Sequence, residues 1–268
     1  MKKVVLLFLT LCFCFGAELN EIRAKKEIKI GVRDALYPFS RLNQDGSLEG
    51  FEVDLAKKLG KEILGGEGEV VLVPVNAKTR MEKLLNGEID IAVASFAKNK
   101  ERAEVMDFSQ PYFAMSDALL THKDNKVSSL NEVAGKQVLA VPGTTSYSFL
   151  KKNGFDIIDC KNAPDCFARL KNGEAKYYFQ MIQQVGAFPL IDDDYVISMR
   201  KVGPDHFLCV GLPQNTPELK EFINKKIIEF VNDGIFQVAY DEIFEPYYHG
   251  TLDRKYFLLD NLYKALLN

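Results

Sequence analysis

The stretch Gly50-Phe51-Glu52-Val53-Asp54-Leu55-Ala56-Lys57-Lys58-Leu59-Gly60-Lys61-Glu62-Ile63 decides how the rest of the chain is read. Gly50 is a turn residue, and after it Phe51, Val53, Leu55, Leu59 and Ile63 give the run an apolar helical face. The β-branched run Ile28 to Val32 precedes it across a turn holding Pro38 and Asn43-Gln44-Asp45-Gly46, and Val70 to Val75 follows. Strand, amphipathic helix and strand in succession make the repeating unit of an α/β fold with mostly parallel sheets.

The alternation continues outward. Ala77 to Asn86 is expected as a second helix stopped by Gly87, and Ile89 to Ala94 as a third strand. The junction Leu85-Asn86-Gly87-Glu88 is echoed by Leu170-Lys171-Asn172-Gly173-Glu174, so each half uses the same helix, glycine stop and strand. In the second half, Ala118 to Thr121 and Gln137 to Val141 read as strands, and Pro142-Gly143-Thr144-Thr145-Ser146 opens a helix. Phe207 to Leu212 is another strand. Thr216 is then the expected N-cap and Pro217 the first helical residue of a helix with Leu219, Phe222, Ile223, Ile227, Phe230 and Val231 on one face, ended by Gly234. The last stretch, Leu252 to Leu267, carries Leu252, Tyr256, Leu259, Tyr263 and Leu266 at helical spacing and is expected to pack on the globular body.

The N-terminus reads as a secretory signal over residues 1–16: Met1-Lys2-Lys3, an apolar run from Val4 to Phe15, then small residues, with cleavage expected between Gly16 and Ala17. The run is shorter than the roughly 20 residues of a membrane-spanning helix. Lipid attachment at Cys12 or Cys14 would need a small residue in front, where Leu11 and Phe13 stand. Loss of Lys2 and Lys3 takes the formal charge from −3 to −5, which disfavours nucleic acid as a partner. Three cysteines remain, Cys160, Cys166 and Cys209. In an oxidising compartment the first two can bridge, closing a small loop between a strand end and a helix start, whereas Cys209 reads as a buried apolar residue. His122, His206 and His249 are scattered, and no Gly-x-Ser-x-Gly elbow, phosphate loop or His-Glu-x-x-His is present, so neither a metal nor a cofactor is expected.

Position for position, Gly50 to Ile63 resembles the signature of the bacterial extracellular solute-binding proteins that serve polar amino-acid ABC transporters. The resemblance implies a two-lobed periplasmic-binding-protein type II fold, each lobe a mixed, mostly parallel sheet flanked by helices, with two crossing strands as hinge. It places residues 24–114 and 207–268 in one lobe and 115–206 in the other. It further implies a periplasmic monomer that holds an amino acid or small carboxylate and hands it to the membrane permease of an ABC importer.

The same resemblance implies site residues. Asn99-Lys100-Glu101-Arg102-Ala103-Glu104, with Asp107-Phe108-Ser109 and Pro111-Tyr112 behind it, matches a second family feature in which the arginine at the place of Arg102 clamps a ligand carboxylate. A guanidinium suits that task because it offers two parallel donors. Read without the family, Arg102 is a solvated arginine paired with Glu101 or Glu104. In a third feature, Gly143-Thr144-Thr145-Ser146, the helix start and the hydroxyls of Thr144 and Thr145 bind the same carboxylate from the other lobe. Plain helix capping is the alternative there. Contacts from both lobes would make a bound carboxylate favour the closed state. Ser95, Ala97, Arg33, Tyr37, Phe39 and Met181 complete the candidate ligand-binding set.

Two departures from the family pattern bear on the ligand. Where relatives carry a Gln-Asp pair whose carboxylate holds the ligand's ammonium, this chain has Gln180-Met181, and a thioether cannot balance a buried ammonium. Either another acid supplies the charge, Asp117 or Asp34 being the candidates, or the ligand has no α-ammonium. In the loop after the first strand, Leu36 replaces an aromatic platform with Tyr37 displaced by one, and Arg33 stands where relatives for basic ligands carry an acid. An acidic or neutral ligand follows, a dicarboxylate among the choices. Two other readings stay open: an exported dehydratase acting on prephenate-like acids, and a sensing or surface protein with altered ligand binding.

Overall fold

The computed structural model describes residues 17–252 together with Arg254 and Leu259. The expected signal, and nearly all of the apolar-faced stretch from Leu252 to Leu267, lie outside the described residues.

Helix α1 (Leu19–Lys25) starts on a capping box between Glu18 and Glu21 and leads into β1 (Glu27–Arg33). A small antiparallel sheet of β2 (Ala35–Leu36), β3 (Ser40–Leu42) and β4 (Leu48–Glu49) folds the next loop back on itself. Helix α2 (Phe51–Ile63) then covers β1 and β5 (Glu69–Val75), burying Phe51, Val53, Leu55, Ala56, Leu59 and Ile63. Each large apolar side chain so buried is worth roughly 1.5–3 kcal/mol. A Cβ at Gly60 would lie 2.8 Å from Val70 and 3.0 Å from Ile30, so the bare backbone sets how closely the helix lies on the sheet.

Helix α3 (Thr79–Leu85) is shorter than expected because the Asn76 side chain accepts from the Lys78 and Thr79 amides and holds the preceding residues in a turn. Strand β6 starts at Ile91 and runs to Ala97, since the Glu88 and Ile89 amides are still bonded to Lys83 at the end of α3. A short helix, α4 (Lys100–Ala103), follows, capped by Asn99. Two strands are far longer than their sequence signals. β7 (Asp107–His122) has 16 residues, and its antiparallel partner, the later strand β11 (Tyr195–Leu212), has 18. The Arg200-Lys201 pair and Gly203-Pro204 break the apolar pattern of β11, and its register shifts at several points along the pairing.

Between these two lie β8 (Gln137–Ala140), α5 (Thr145–Lys152), β9 (Asp156–Asp159), α6 (Ala163–Lys171), β10 (Tyr177–Met181), α7 (Ile182–Val185) and α8 (Phe188–Ile191). The large sheet has the order β5-β1-β6-β11-β7-β10-β8-β9. Its outer strands pair parallel, β1 with β5 and β6 on one side and β8 with β10 and β9 on the other, and the long antiparallel β7 and β11 join the halves. Cys160, just past β9, is disulfide-bonded to Cys166 in α6, with their Cα atoms 5.3 Å apart. Cys209 is buried, and burial pushes its thiol up to about 12.

After β11 the chain returns to its first half through α9 (Pro217–Asn232). The Thr216 hydroxyl donates to the Pro213 carbonyl instead of capping this helix. Lys226 of α9 pairs with Glu62 of α2 at 2.9 Å, and Arg23 of α1 lies 5.1 Å over the Phe222 ring. Helices α10 (Ile235–Ala239) and α11 (Glu245–Tyr248) follow, and Phe244 between them joins a ring cluster with Phe39, Phe51 and Phe113. Among the described residues no helix is long and apolar enough to cross a membrane.

Candidate functional site

The carboxyl ends of the parallel strands in both halves face one seam, the place where open α/β sheets present their loops to a ligand. From the first half the seam receives three arginines: Arg33 from the end of β1, Arg80 from α3 and Arg102 from α4. Arg80 is fully buried, and its Nη1 donates to the Ala94 and Ser95 carbonyls at 2.6 and 2.8 Å. Arg102 Nη1 donates to the Ala97 carbonyl at 2.6 Å. Both guanidiniums then reach across to the Gly143 carbonyl of the second half, Arg80 at 3.1 Å and Arg102 at 2.9 Å. Both also lie over the Phe96 ring, with centroid distances of 4.4 and 4.9 Å.

One acid faces this cationic wall. Glu52, buried at the start of α2, accepts from the Ser95 amide at 2.7 Å, the Ser95 hydroxyl at 2.9 Å and the Tyr112 hydroxyl at 2.5 Å. Burial raises its carboxyl above the usual range, against the pull of the Tyr112 and Ser95 hydrogen bonds and of Arg33. The two bonds to Glu52 hold Ser95 at φ 50°, a left-handed conformation uncommon outside glycine. Burial lowers all three arginines. Arg80 falls furthest, with Arg102 and Arg33 adding repulsion; Arg33 is partly compensated by Asp34 and Glu52; Arg102 is brought to about 10 and so stays cationic at neutral pH. The Nε groups of Arg33 and Arg80 are buried with no hydrogen-bond partner.

The second half answers with a helix start. Thr144 caps α5 by accepting from the Tyr147 amide, and its own hydroxyl donates to the Val141 carbonyl at 2.7 Å. The neighbouring Thr145 hydroxyl is buried without a partner. Ser146 Oγ lies 2.5 Å from Asp117 Oδ1 and 2.6 Å from Gln180 Oε1, while Asp117 Oδ2 is 2.9 Å from His206 Nε2. Gly143 is a point of close contact between the halves. It has φ 80°, and a Cβ there would stand 2.6 Å from the Ala77 carbonyl oxygen. Around this contact the seam widens into a cavity of about 400 Å³ lined by Met81, Phe96, Arg102 and Gly143, and another of about 760 Å³ reaching Lys98, Thr145 and His206.

Of the residues singled out from sequence, Arg102, Arg33, Ser95, Ala97, Thr144, Thr145 and Met181 all belong to elements that end at this seam. Tyr37 and Phe39 do not reach it. The pairing of Leu36 with Ser40, and the bond from the Ser40 hydroxyl to the Arg33 carbonyl, fold their loop back. Tyr37 is left outside against Tyr247 and Arg41, and Phe39 goes into the ring cluster at 0% exposure. Neither Glu101 nor Glu104 takes Arg102 as a salt-bridge partner among the described residues; backbone carbonyls take it instead. Sequence reasoning missed Arg80, Glu52, Phe96 and the use of His206. Arg80 had a signal, since it precedes Leu84 by one helical turn and the two share the buried face of α3.

This arrangement has known counterparts. A glutamine-binding protein of Geobacillus stearothermophilus is 35% identical over 160 residues, which cover 58% of this chain and 61% of the relative. The match to that relative therefore spans about three fifths of its length. A glutamate/aspartate import solute-binding protein of Salmonella typhimurium is 28% identical over 239 residues, 79% of this chain and 74% of the relative. The crystal structure of a cysteine-binding protein from Campylobacter jejuni superposes with a TM-score of 0.84 at 26% identity, covering 90% of this chain and 98% of that one. The fold is that of the type II periplasmic binding proteins. With the sheet order, the seam and a sequence-profile match over residues 28–246 in agreement, this chain belongs to the bacterial extracellular solute-binding proteins, family 3.

Proposed function

We propose that the protein is an exported, periplasmic binding protein, not an enzyme, that captures a neutral or acidic α-amino acid and delivers it to the permease of an ABC importer. The ligand is held between a lobe of residues 24–114 and 207–268 and a lobe of residues 115–206, with β7 and β11 as the hinge. The observation that carries this reading is a cluster of three guanidiniums, the buried Arg33 and Arg80 and the half-buried Arg102, with one acid beside them, from which Arg80 and Arg102 reach the residue that precedes a helix start. Fixed cations and free amides in a water-poor seam suit an anion. The guanidiniums outnumber the buried acids beside them, so an acidic amino acid lowers the positive charge of the seam and a basic one raises it. The relatives named for glutamine, for glutamate or aspartate and for cysteine support this ligand class.

Calorimetry and thermal shift on the purified chain test the proposal. Glutamate, aspartate, glutamine and cysteine are the ligands to try, and at least one raises the melting temperature, while arginine and lysine do not. Arg102→Ala lowers affinity by about 30-fold or more, since stripping one partner from a buried charged contact costs about 2–5 kcal/mol. Tight lysine binding with none of the acidic or neutral ligands bound, or unchanged affinity in Arg102→Ala, would overturn it.

A further inference from the structure

An α-amino acid carries an ammonium into the seam, so the following rests on the ligand class just proposed. A buried ammonium with no acid beside it is costly, by several kcal/mol. Met181, the last residue of β10, offers a thioether and no charge. Among the described residues the buried acids are Glu52 and Asp117. Glu52 is already engaged by its own wall: Ser95 and Tyr112 supply three donors, and Arg33 and Arg80 are the cations it faces. Asp117 is different. One oxygen meets Ser146 and the other His206, and a carboxylate has about four acceptor sites, so each oxygen keeps one more.

The sheet register fixes where that capacity lies. Met181 of β10 is directly opposite Asp117 of β7 in an antiparallel pair. Side chains so placed share one face of the sheet, with Cβ atoms about 4.5–5.5 Å apart. The Asp117 carboxylate therefore stands beside the Met181 thioether, one strand over. Its contact with Ser146 ties it to the first turn of α5, the turn that also carries Thr145 with its unpartnered hydroxyl. In an α-amino acid the carboxylate and the ammonium hang on one carbon, so an anion cradle and a cation acceptor must adjoin. Ser146 makes them neighbours here.

We infer that Asp117 receives the ligand's α-ammonium, taking from the neighbouring strand the part that position 181 cannot play. His206 is the positioning residue: its Nε2 holds the second carboxylate oxygen at 2.9 Å, and Ser146 holds the first. The site then selects ligands that carry a free α-ammonium next to a carboxylate. It rejects the corresponding desamino acids.

The test is a set of isothermal titrations with L-glutamate, L-aspartate and L-cysteine, each against its desamino counterpart, glutarate, succinate and 3-mercaptopropionate. The wild-type chain prefers the amino acid by 100-fold or more. Asp117→Asn loses most of that preference. The double variant D117N/M181D restores it, because an acid again stands on the same patch of sheet. If D117N does not fold, the double variant is read alone, and equal binding of amino and desamino ligands there overturns the assignment. In the wild-type chain, which raises no folding question, the NMR signal of the Asp117 carboxyl carbon moves on adding the amino acid and not its desamino counterpart. A D117N variant that keeps full preference, or a silent Asp117 signal, refutes the inference and leaves the amino-acid reading standing. A wild-type chain that binds none of the amino acids removes both.

Discussion

The two walls of the seam solve the same electrostatic problem in opposite ways. The first wall holds formal charges, with Arg33, Arg80 and Arg102 beside Glu52, its one buried acid among the described residues. The second holds dipoles and hydroxyls at the start of α5, with Asp117 as its one buried acid among the described residues. Formal charge is expensive to keep dry. Burial takes Arg102 from 12.5 to about 10, which corresponds to about 3 kcal/mol against the charged form. Backbone amides and hydroxyls carry no formal charge, and leaving one buried without a partner, as at Thr145, costs less than leaving an unpaired ion there. The lesson is a division of labour: one wall supplies attraction at a standing expense, and the other supplies geometry that becomes useful only on contact. The Gly143 carbonyl, accepting from both Arg80 and Arg102, is where the two meet.

The largest effect comes from separating the walls at that point. Gly143→Ala puts a methyl group 2.6 Å from the Ala77 carbonyl and forces a non-glycine residue to φ 80°. The left-handed conformation alone costs about 1–2 kcal/mol, and the clash adds to it. The variant folds with an intact first half but no longer closes. Ligand affinity drops by at least 100-fold, and small-angle scattering shows no compaction on adding ligand. Wild-type affinity in Gly143→Ala would mean that the walls need not touch for the ligand to bind.

A smaller effect probes the first wall alone. Phe96 underlies both Arg80 and Arg102, so Phe96→Leu keeps an apolar side chain and removes the ring face. Cation–π contacts of this kind are worth about 0.5–2 kcal/mol. Affinity measured by calorimetry falls roughly three- to thirtyfold on that scale, less than in Arg102→Ala. An equal loss in both would make the ring, and not the guanidinium, the dominant feature of that wall.

How much of this was legible depends on whether the signal was local. Helix α2, the Asn99 cap that presents Arg102 and the Thr144 cap of α5 are short-range devices, and each is written in adjacent residues. The full lengths of β7 and β11 are not. Their middle residues pass between the halves of the sheet, where alternation gives way to Gly203-Pro204 and to charges such as Arg200 and Lys201. The misplacement of Tyr37 and Phe39 has the same origin, because the fold-back of their loop depends on the pairing of Leu36 with Ser40 and on a hydroxyl bond to a strand carbonyl. His206 looks isolated in the sequence because its partner Asp117 lies 89 residues away. Long-range pairing brings them together, and neither residue carries a local mark of it.

The smallest effect concerns the acid inside the cationic wall. Burial raises the Glu52 carboxyl above its ordinary value of 4.5, although Ser95, Tyr112 and Arg33 pull it back. The folded state therefore holds this proton more tightly than the unfolded chain does. The stability linked to that proton is fully present below about 4.5, the unfolded value, and is lost as pH rises through the higher folded value. Glu52→Gln has no proton to lose at this position and keeps an oxygen to accept from the Ser95 amide. The melting temperature of wild type minus that of Glu52→Gln thus declines as pH goes from 4 to 7, which a pair of thermal scans resolves. A difference that grows over this interval would mean that Arg33 and Arg80 hold the carboxylate more strongly than burial opposes it, and the first wall would then be internally neutralised, not poised for a ligand's negative charge.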